Sequence, residues 1–344
     1  MGNDYRPLNP RLGAAVVNNP RRRGGATGVV GRFHQFRTTA LALLLLAMFS
    51  LLVLSCGGSP NVNDPLGQPA GGPPVSLVVA NSDLAVGENR VSFGLVDRDY
   101  MPVRPQSVDV RAVYYEPGAP TGQVRHQSSA EFIEWSPSGQ RGTFVSQMEF
   151  DQAGTATGTT PGIWEVHATF EHPPGETLTV GAAVSVASEH SVPFSGDPAP
   201  LSETPTSATV SDLRTISSSA EPDPALYQLS VAEAVQSGKP TVVSFATPAF
   251  CVSATCGPQV ADLSQLAREY SAGANFVHVE VYRDPHLIDP QSPVRELVPA
   301  VEEWGLVSEP WTFVVGNDGT ISARFEQYVP RHILESALLS AIQP

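Results

Sequence analysis

Cysteine, lysine and long apolar runs are all scarce in this chain. Three cysteines occur in 344 residues, which excludes the dense disulfide framework of small secreted domains. Lys239 is the one lysine. Seven of the 20 basic residues and one of the 34 acidic residues precede Cys56, leaving 13 basic against 33 acidic residues after it. That balance, with a formal net charge of −14, excludes a surface of clustered Lys and Arg for nucleic acid. A spanning helix usually needs about 20 apolar residues, and the apolar run TALALLLLAMFSLLVL, Thr39 to Leu54, falls short of that. What is present is a hydrophobic content of 41%, normal for a folded chain, and length enough for two domains and tails.

The N-terminal residues differ in kind from the rest. Residues 1–37 are polar and rich in Arg, and the apolar run comes directly after them, which is the charged-then-apolar order of an export signal. Val53-Leu54-Ser55-Cys56-Gly57 then resembles the bacterial lipobox, with an aliphatic residue at −3 and a small one at −1, although Leu54 at −2 is a less usual choice. The resemblance implies a bacterial lipoprotein, cleaved before Cys56 and lipidated on it. The other reading is an uncleaved signal anchor. Both tether the chain to the cell membrane and put the residues after 56 on the extracytoplasmic face, where paired cysteines oxidise and stay oxidised. Residues 1–55 are thus a signal segment, and the Gly/Pro/Asn-rich residues 56–74 a flexible tether.

From 75 to 190 the pattern is all β. Seven short runs, VSLVVAN, NRVSFGLVD, SVDVRAVYY, EFIEW, TFVSQMEF, GIWEVHATF and LTVGAAVSV, are separated by turn residues such as Pro173-Pro174-Gly175. Many alternate: Trp164, Val166 and Ala168 oppose Ile163, Glu165 and His167. Seven strands with one wet face predict a β-sandwich, which resembles the immunoglobulin-like modules of bacterial surface proteins. It lacks cysteine, which excludes the inter-sheet bridge of antibody domains. His126, His167 and His172 lie in separate runs without metal-ligand spacing and read as surface histidines.

Residues 191–224 are a Pro/Ser/Thr linker, with an aliphatic patch from Val210 to Ile216 placed to lie along a domain. Beyond 225, helix and strand alternate. Ser230-Val231-Ala232-Glu233 is a capping box. PTVVSFAT (240–247) is a continuous apolar run, as a strand buried on both faces would be. Pro258 suits the first position of a helix striped by Val260, Leu263, Leu266 and Tyr270. NFVHVEVY is a strand and Arg295 to Trp304 a looser helix. PWTFVVG and ISARFEQY form a hairpin about Asn317-Asp318-Gly319, and HILESALLSAI closes the chain as a helix.

This order, with a Cys-bearing turn between buried strand and helix, resembles a thioredoxin-like domain over residues 225–344. The fold class expected is therefore an all-β immunoglobulin-like sandwich followed by an α/β thioredoxin-like fold. The resemblance implies a cis bond before Pro310, facing the cysteines, with Pro310 shaping the floor for a substrate strand. It also implies thiol–disulfide exchange with a protein thiol or disulfide partner, and no cofactor. The chain departs from the family in its spacing, Cys251-x4-Cys256 for Cys-x-x-Cys. In a second alignment, at Cys256-Gly257-Pro258-Gln259, Gln259 stands where the resolving cysteine would be. Ser244 stands where the family carries a buried acid.

Three chemistries remain open at Cys251 and Cys256. A sulfur at a helix N-terminus is favoured as thiolate, so Cys256 attacks or is attacked and Cys251 resolves, the two alignments leaving the order of the sulfurs open. A structural disulfide on a surface binding protein is the second reading; closing so short a loop contributes at most about 2 kcal/mol. The third is a copper site resembling the Sco-type chaperones, with Cys251, Cys256 and His278, or His286, as ligands, since soft thiolates suit Cu(I). His278 within FVHVEVY also reads as a histidine satisfied inside the sheet.

Overall fold

Strand alternation places seven strands in one sheet. The computed structural model describes residues 73–135, 141–157, 160–289 and 295–342; the export segment, Cys56 and most of the tether lie outside the described residues. β1 (Val75–Val79), β2 (Gly87–Asp97), β3 (Val108–Tyr115), β4 (Gln123–Glu134), β5 (Gly142–Phe150), β6 (Ile163–Glu171) and β7 (Thr177–Val184) run antiparallel in the order β1-β2-β5-β4-β3-β6-β7. Two packed sheets were expected, and the difference lies in β4. Its first half pairs with β3, from Ala130 opposite Val108 back to Gln123 opposite Tyr114. Its last four residues, Glu131 to Glu134, pair with β5. One strand thus turns the corner between the two halves of a continuous, folded-over sheet.

The core lies inside that fold. On β6, Trp164, Val166, Ala168 and Phe170 face in, while Glu165 and His167 face the wet side and bond to each other. Phe93, Phe144, Phe150, Tyr114 and Met148 complete one cluster with them. Burying each such side chain is worth about 1.5–3 kcal/mol. The polar ends are satisfied, Tyr114 Oη donating to Pro161 O at 2.9 Å and Trp164 Nε1 to Gln152 O at 2.9 Å.

The second sheet has four strands: β8 (Thr241–Ala246), β9 (Asn275–Glu280), β10 (Trp311–Val315) and β11 (Ile321–Glu326), in the order β11-β10-β8-β9. β8 and β9 are parallel, and β10 is antiparallel to both β8 and β11. Every residue of β8 is buried because helices cover both faces. One face carries Val243, Phe245, Phe313 and Trp311 against α1 (Val231–Gln236) and Trp304 at the end of α3 (Pro299–Glu303). The other carries Val242, Ala246 and Val314 against α2 (Cys256–Tyr270) and α4 (Arg331–Ile342). The capping box opens α1: Ser230 Oγ accepts from Glu233 N at 3.1 Å, and Glu233 Oε2 from Ser230 N at 2.8 Å. Gly319 takes φ +81° in the β10–β11 turn, a conformation costly for residues with a Cβ.

The Pro/Ser/Thr segment is laid along this second sheet. Prolines break any regular ladder there, so its polar groups are used singly. Gly196 N donates to Ile321 O at 2.9 Å, Ala199 N to Gly319 O at 3.0 Å, and Trp304 Nε1 to Ser202 Oγ at 3.1 Å. Leu213 and Ile216, from the aliphatic patch, pack on the cluster that contains α2.

The two sheets meet through buried polar groups. Asp83 accepts from Arg324 Nη1 at 2.7 Å and from Ser191 N and Oγ at 2.9 Å, and His190 Nδ1 lies 2.9 Å from its carboxylate. Burial alone would raise the Asp83 carboxyl; the bonds from His190, Ser191 and Arg324 outweigh it and hold that carboxyl well below the usual range. Arg90 donates to Glu326 O and Tyr328 O at 3.0 and 2.9 Å. Burial lowers the Arg90 guanidinium to about 10, with Glu326 opposing, so it stays charged at neutral pH. Glu326 Oε1 in turn accepts from Ser82 N and Ser308 Oγ, each at 2.7 Å.

Candidate functional site around Cys251 and Cys256

The site is built where β8 gives way to α2. Thr247 is fully buried, and Phe250 N closes a turn onto Thr247 O at 3.1 Å. In the loop beyond it, Ala254 sits in the left-handed region at φ +58°. α2 begins at Cys256 with Thr255 as its N-cap, so Pro258 is the third helical residue and not the first, as expected. Proline is tolerated there because N–H groups of the first turn have no intrahelical acceptor. The same shift places Cys256 inside the first turn, two residues further in than expected.

Cys251 and Cys256 form a disulfide with a Cα–Cα distance of 6.0 Å. Their environments differ sharply. Cys256 is 0% exposed, packed with Val242, Ala246, Leu263 and Val314. Cys251 is partly exposed, and Val252 beside it is 95% exposed. Two donors converge on the outer sulfur: Cys256 N lies 3.3 Å from Cys251 Sγ and Ser253 Oγ 3.2 Å from it. Ser253, which nothing in the sequence distinguished, is held in turn by Thr255 Oγ1 at 2.7 Å.

Beneath the disulfide the sheet carries polar groups in rows. Trp311 pairs with Phe245, so Pro310, preceding it through a cis peptide bond with Glu309, stands at the mouth of β10 level with Ala246. In the adjacent row Thr312, Ser244 and His278 are in register. Ser244 Oγ lies 3.1 Å from Thr312 Oγ1, so a neutral hydroxyl pair fills the position read as lacking the acid. Both ring nitrogens of His278 are engaged: Tyr227 Oη donates to Nδ1 at 2.7 Å, and Nε2 donates to Ala246 O at 3.0 Å. Burial pushes its pKa down, against the nearby Glu280 carboxylate, so the ring is neutral and has no nitrogen free for a metal. His286, on an exposed turn at Pro285–Leu287, belongs to no cluster of metal-ligating residues among the described residues. Gln259 is buried, and its Oε1 accepts from Val329 N at 2.9 Å.

Residues distant in sequence complete the surroundings. Ser218 bonds through its N–H to Glu280 Oε2 at 2.7 Å, and its Oγ accepts from Ala249 N at 3.1 Å. Arg295 stacks over Phe250 at 4.8 Å and Tyr282 at 5.3 Å, covering the residue before Cys251. Burial raises the Glu309 carboxyl, with Arg295 pulling it down and Glu280 adding to the rise. Phe250 and Glu309 were visible as neighbours of Cys251 and Pro310. Ser218 and Tyr227 had no signal, because their places depend on the course of the segment before α1.

No protein-family model and no curated protein matches the chain. Among solved structures, it is similar to a putative thiol:disulfide interchange protein DsbE from Chlorobium tepidum, at 16% identity and TM-score 0.26 over 31% of this chain and 82% of that one. It is also similar to a conjugative transposon lipoprotein from Bacteroides eggerthii, at 9% identity and TM-score 0.17 over 32% of this chain and 96% of that one. Likenesses this slight leave the chemistry to be argued from the residues. Among the described residues no helix is long and apolar enough to cross a membrane.

Proposed function

We propose that this protein is a thiol–disulfide oxidoreductase, tethered through Cys56 to the extracytoplasmic face of the cell membrane. In this reading residues 75–190 are an immunoglobulin-like sandwich and residues 225–344 a thioredoxin-like domain. The observation that carries it is the asymmetry of the disulfide: one sulfur reachable and held by donors, the other buried at the N-terminus of α2. Helices on both faces of a four-stranded sheet support the same reading.

Burial favours Cys251 as the sulfur that meets the partner, an order the sequence left open. A partner thiolate reaches Cys251 Sγ; the Cys251–Cys256 bond breaks, and its electron pair leaves with Cys256 Sγ at the helix N-terminus, where negative charge is favoured. The partner's second thiolate then attacks its own sulfur in the mixed disulfide and releases Cys251 Sγ. Two electrons and two protons have passed from the partner dithiol to the pair. Run backwards, Cys251 attacks a partner disulfide and Cys256 resolves. The donors at Cys256 N and Ser253 Oγ stabilise the Cys251 thiolate in that direction, and Pro310 positions the partner's backbone.

A trapping experiment tests this. Cys256→Ser, incubated with a disulfide-bonded peptide, accumulates a mixed disulfide on Cys251, while the wild-type chain resolves it. Failure of Cys256→Ser to form an adduct, or an equal yield on Cys256 in Cys251→Ser, contradicts the proposal.

A further inference from the structure

A cavity lies beside the C-terminal end of β9. It has a volume of about 190 Å³ and lies along the outer side of β9, between the segment preceding α1 and the chain entering α3. Drug-sized ligands occupy pockets of roughly 300–1,000 Å³, so this one fits a single side chain. Its walls include the rings of Tyr227 and Tyr282 and the aliphatic Val298.

Among the described residues the lining carries negative charge without an inner cation. Glu280 is 4% exposed, and among the described residues its oxygens accept only from backbone, Val281 N at 3.1 Å and Ser218 N at 2.7 Å. A carboxylate offers about four lone-pair sites, which leaves two. No Arg or Lys forms an ion pair with Glu280 among the described residues, although buried carboxylates are ordinarily paired. At the rim stand Glu203 and Asp284, both exposed. Arg283, also at the rim, is committed to Glu296 at 2.8 Å.

The cavity is coupled to the disulfide on two sides. Ser218 binds both Glu280 and the backbone at Ala249, two residues before Cys251. Tyr282 shares Arg295 with Phe250, the residue next to Cys251.

We propose that this pocket receives an arginine side chain of the polypeptide presented to the disulfide, its guanidinium bound by Glu280 and stacked between Tyr227 and Tyr282. A planar guanidinium suits both features: it pairs with a carboxylate through two parallel bonds and stacks on aromatic faces, and an ammonium does neither as well. That the arginine belongs to a redox substrate rests on the oxidoreductase reading; the pocket itself does not.

The test separates the two. Nα-acetyl-arginine amide and its neutral isostere Nα-acetyl-citrulline amide are titrated calorimetrically into the full-length chain in mild detergent at low salt. Arginine is expected to bind at least roughly tenfold more tightly than citrulline. The gap should collapse in Glu280→Gln and narrow in Glu203→Lys, an exposed position whose change leaves the fold intact. Equal affinities in the wild-type chain, or a gap that survives both substitutions, overturn the proposal. In parallel, exchange rates are measured with disulfide peptides carrying arginine or citrulline beside the cysteine. A faster arginine peptide supports the pocket as a substrate subsite. Equal exchange rates without probe binding reject the pocket and keep the oxidoreductase; probe binding without exchange by either peptide does the reverse.

Discussion

Replacing Asp83 with asparagine tests whether a buried polar joint holds the two sheets together. The Asp83 and Arg324 side chains are 4% and 12% exposed and meet at 2.7 Å. Asparagine keeps the shape and leaves the guanidinium without its counter-charge. Removing one partner of a buried pair costs about 3–5 kcal/mol. Arg324 keeps Val192 O at 3.0 Å and stacks at 4.8 Å over Phe194 and 5.5 Å over Trp311, which puts the expected loss near the low end, about 3 kcal/mol. At about 2–4 °C per kcal/mol for a domain of this order, the midpoint falls by roughly 6–12 °C. Thermal and urea denaturation followed by tryptophan fluorescence read this directly. In a double-mutant cycle, Arg324→Met should cost much less in the Asp83→Asn background than in the wild-type chain. The pH dependence has a definite sign. The Asp83 carboxyl is lowered on folding, so its contribution is present above the unfolded value of about 3.9 and is lost as pH falls towards the folded one. The gap between wild type and Asp83→Asn must therefore shrink in acid. A loss below about 1 kcal/mol at pH 7, or a gap independent of pH, refutes the reasoning.

Glu309 has the opposite sign: burial raises its carboxyl, so it disfavours folding as pH rises through the unfolded value of about 4.3. Glu309→Gln should gain stability relative to wild type at pH 7 and not at pH 4, measured by urea midpoints. Tyr227→Phe leaves Nδ1 of the buried His278 without its donor and should cost about 1–3 kcal/mol, read by the same denaturation; no loss would mean that water or another group takes over. After reduction, iodoacetamide should alkylate Cys251 at least about tenfold faster than Cys256, because access and thiolate character set the rate. Peptide mass spectrometry resolves the two, and equal rates would contradict the burial of Cys256.

Much of this architecture could be read from alternation. Trp164, Val166 and Ala168 against Glu165 and His167 fix which face of β6 is inside, and β8 declares itself as a continuous apolar run. The first half of β4 could not be read that way. QVRHQSSA is polar on both faces, and Val124 is 51% exposed, so nothing in its periodicity marks it as paired with β3. Turn chemistry served well at Ser230-Glu233 and at Asn317-Asp318-Gly319, where side chain or φ determines the local backbone. It misplaced the start of α2, since proline is accepted at any of the first helical positions.

The site was legible as far as covalent chemistry extends along the chain. Two cysteines beside a helix start and a proline before a strand are local signals, and the structure brings them to the same end of the second sheet. Which sulfur is buried depends on Val242, Ala246 and Val314, residues from two strands that meet only in the fold. Ser218 and Tyr227 come from a segment whose composition suggests a passive linker. Their roles arise from long-range contacts with Glu280 and His278 that no spacing records.

The most direct measurement is the reduction potential of the Cys251–Cys256 pair in the full-length chain, by equilibration with glutathione and dithiothreitol buffers. A working exchange pair should titrate reversibly between roughly −120 and −270 mV. A potential below about −300 mV marks a structural bridge and contradicts the account.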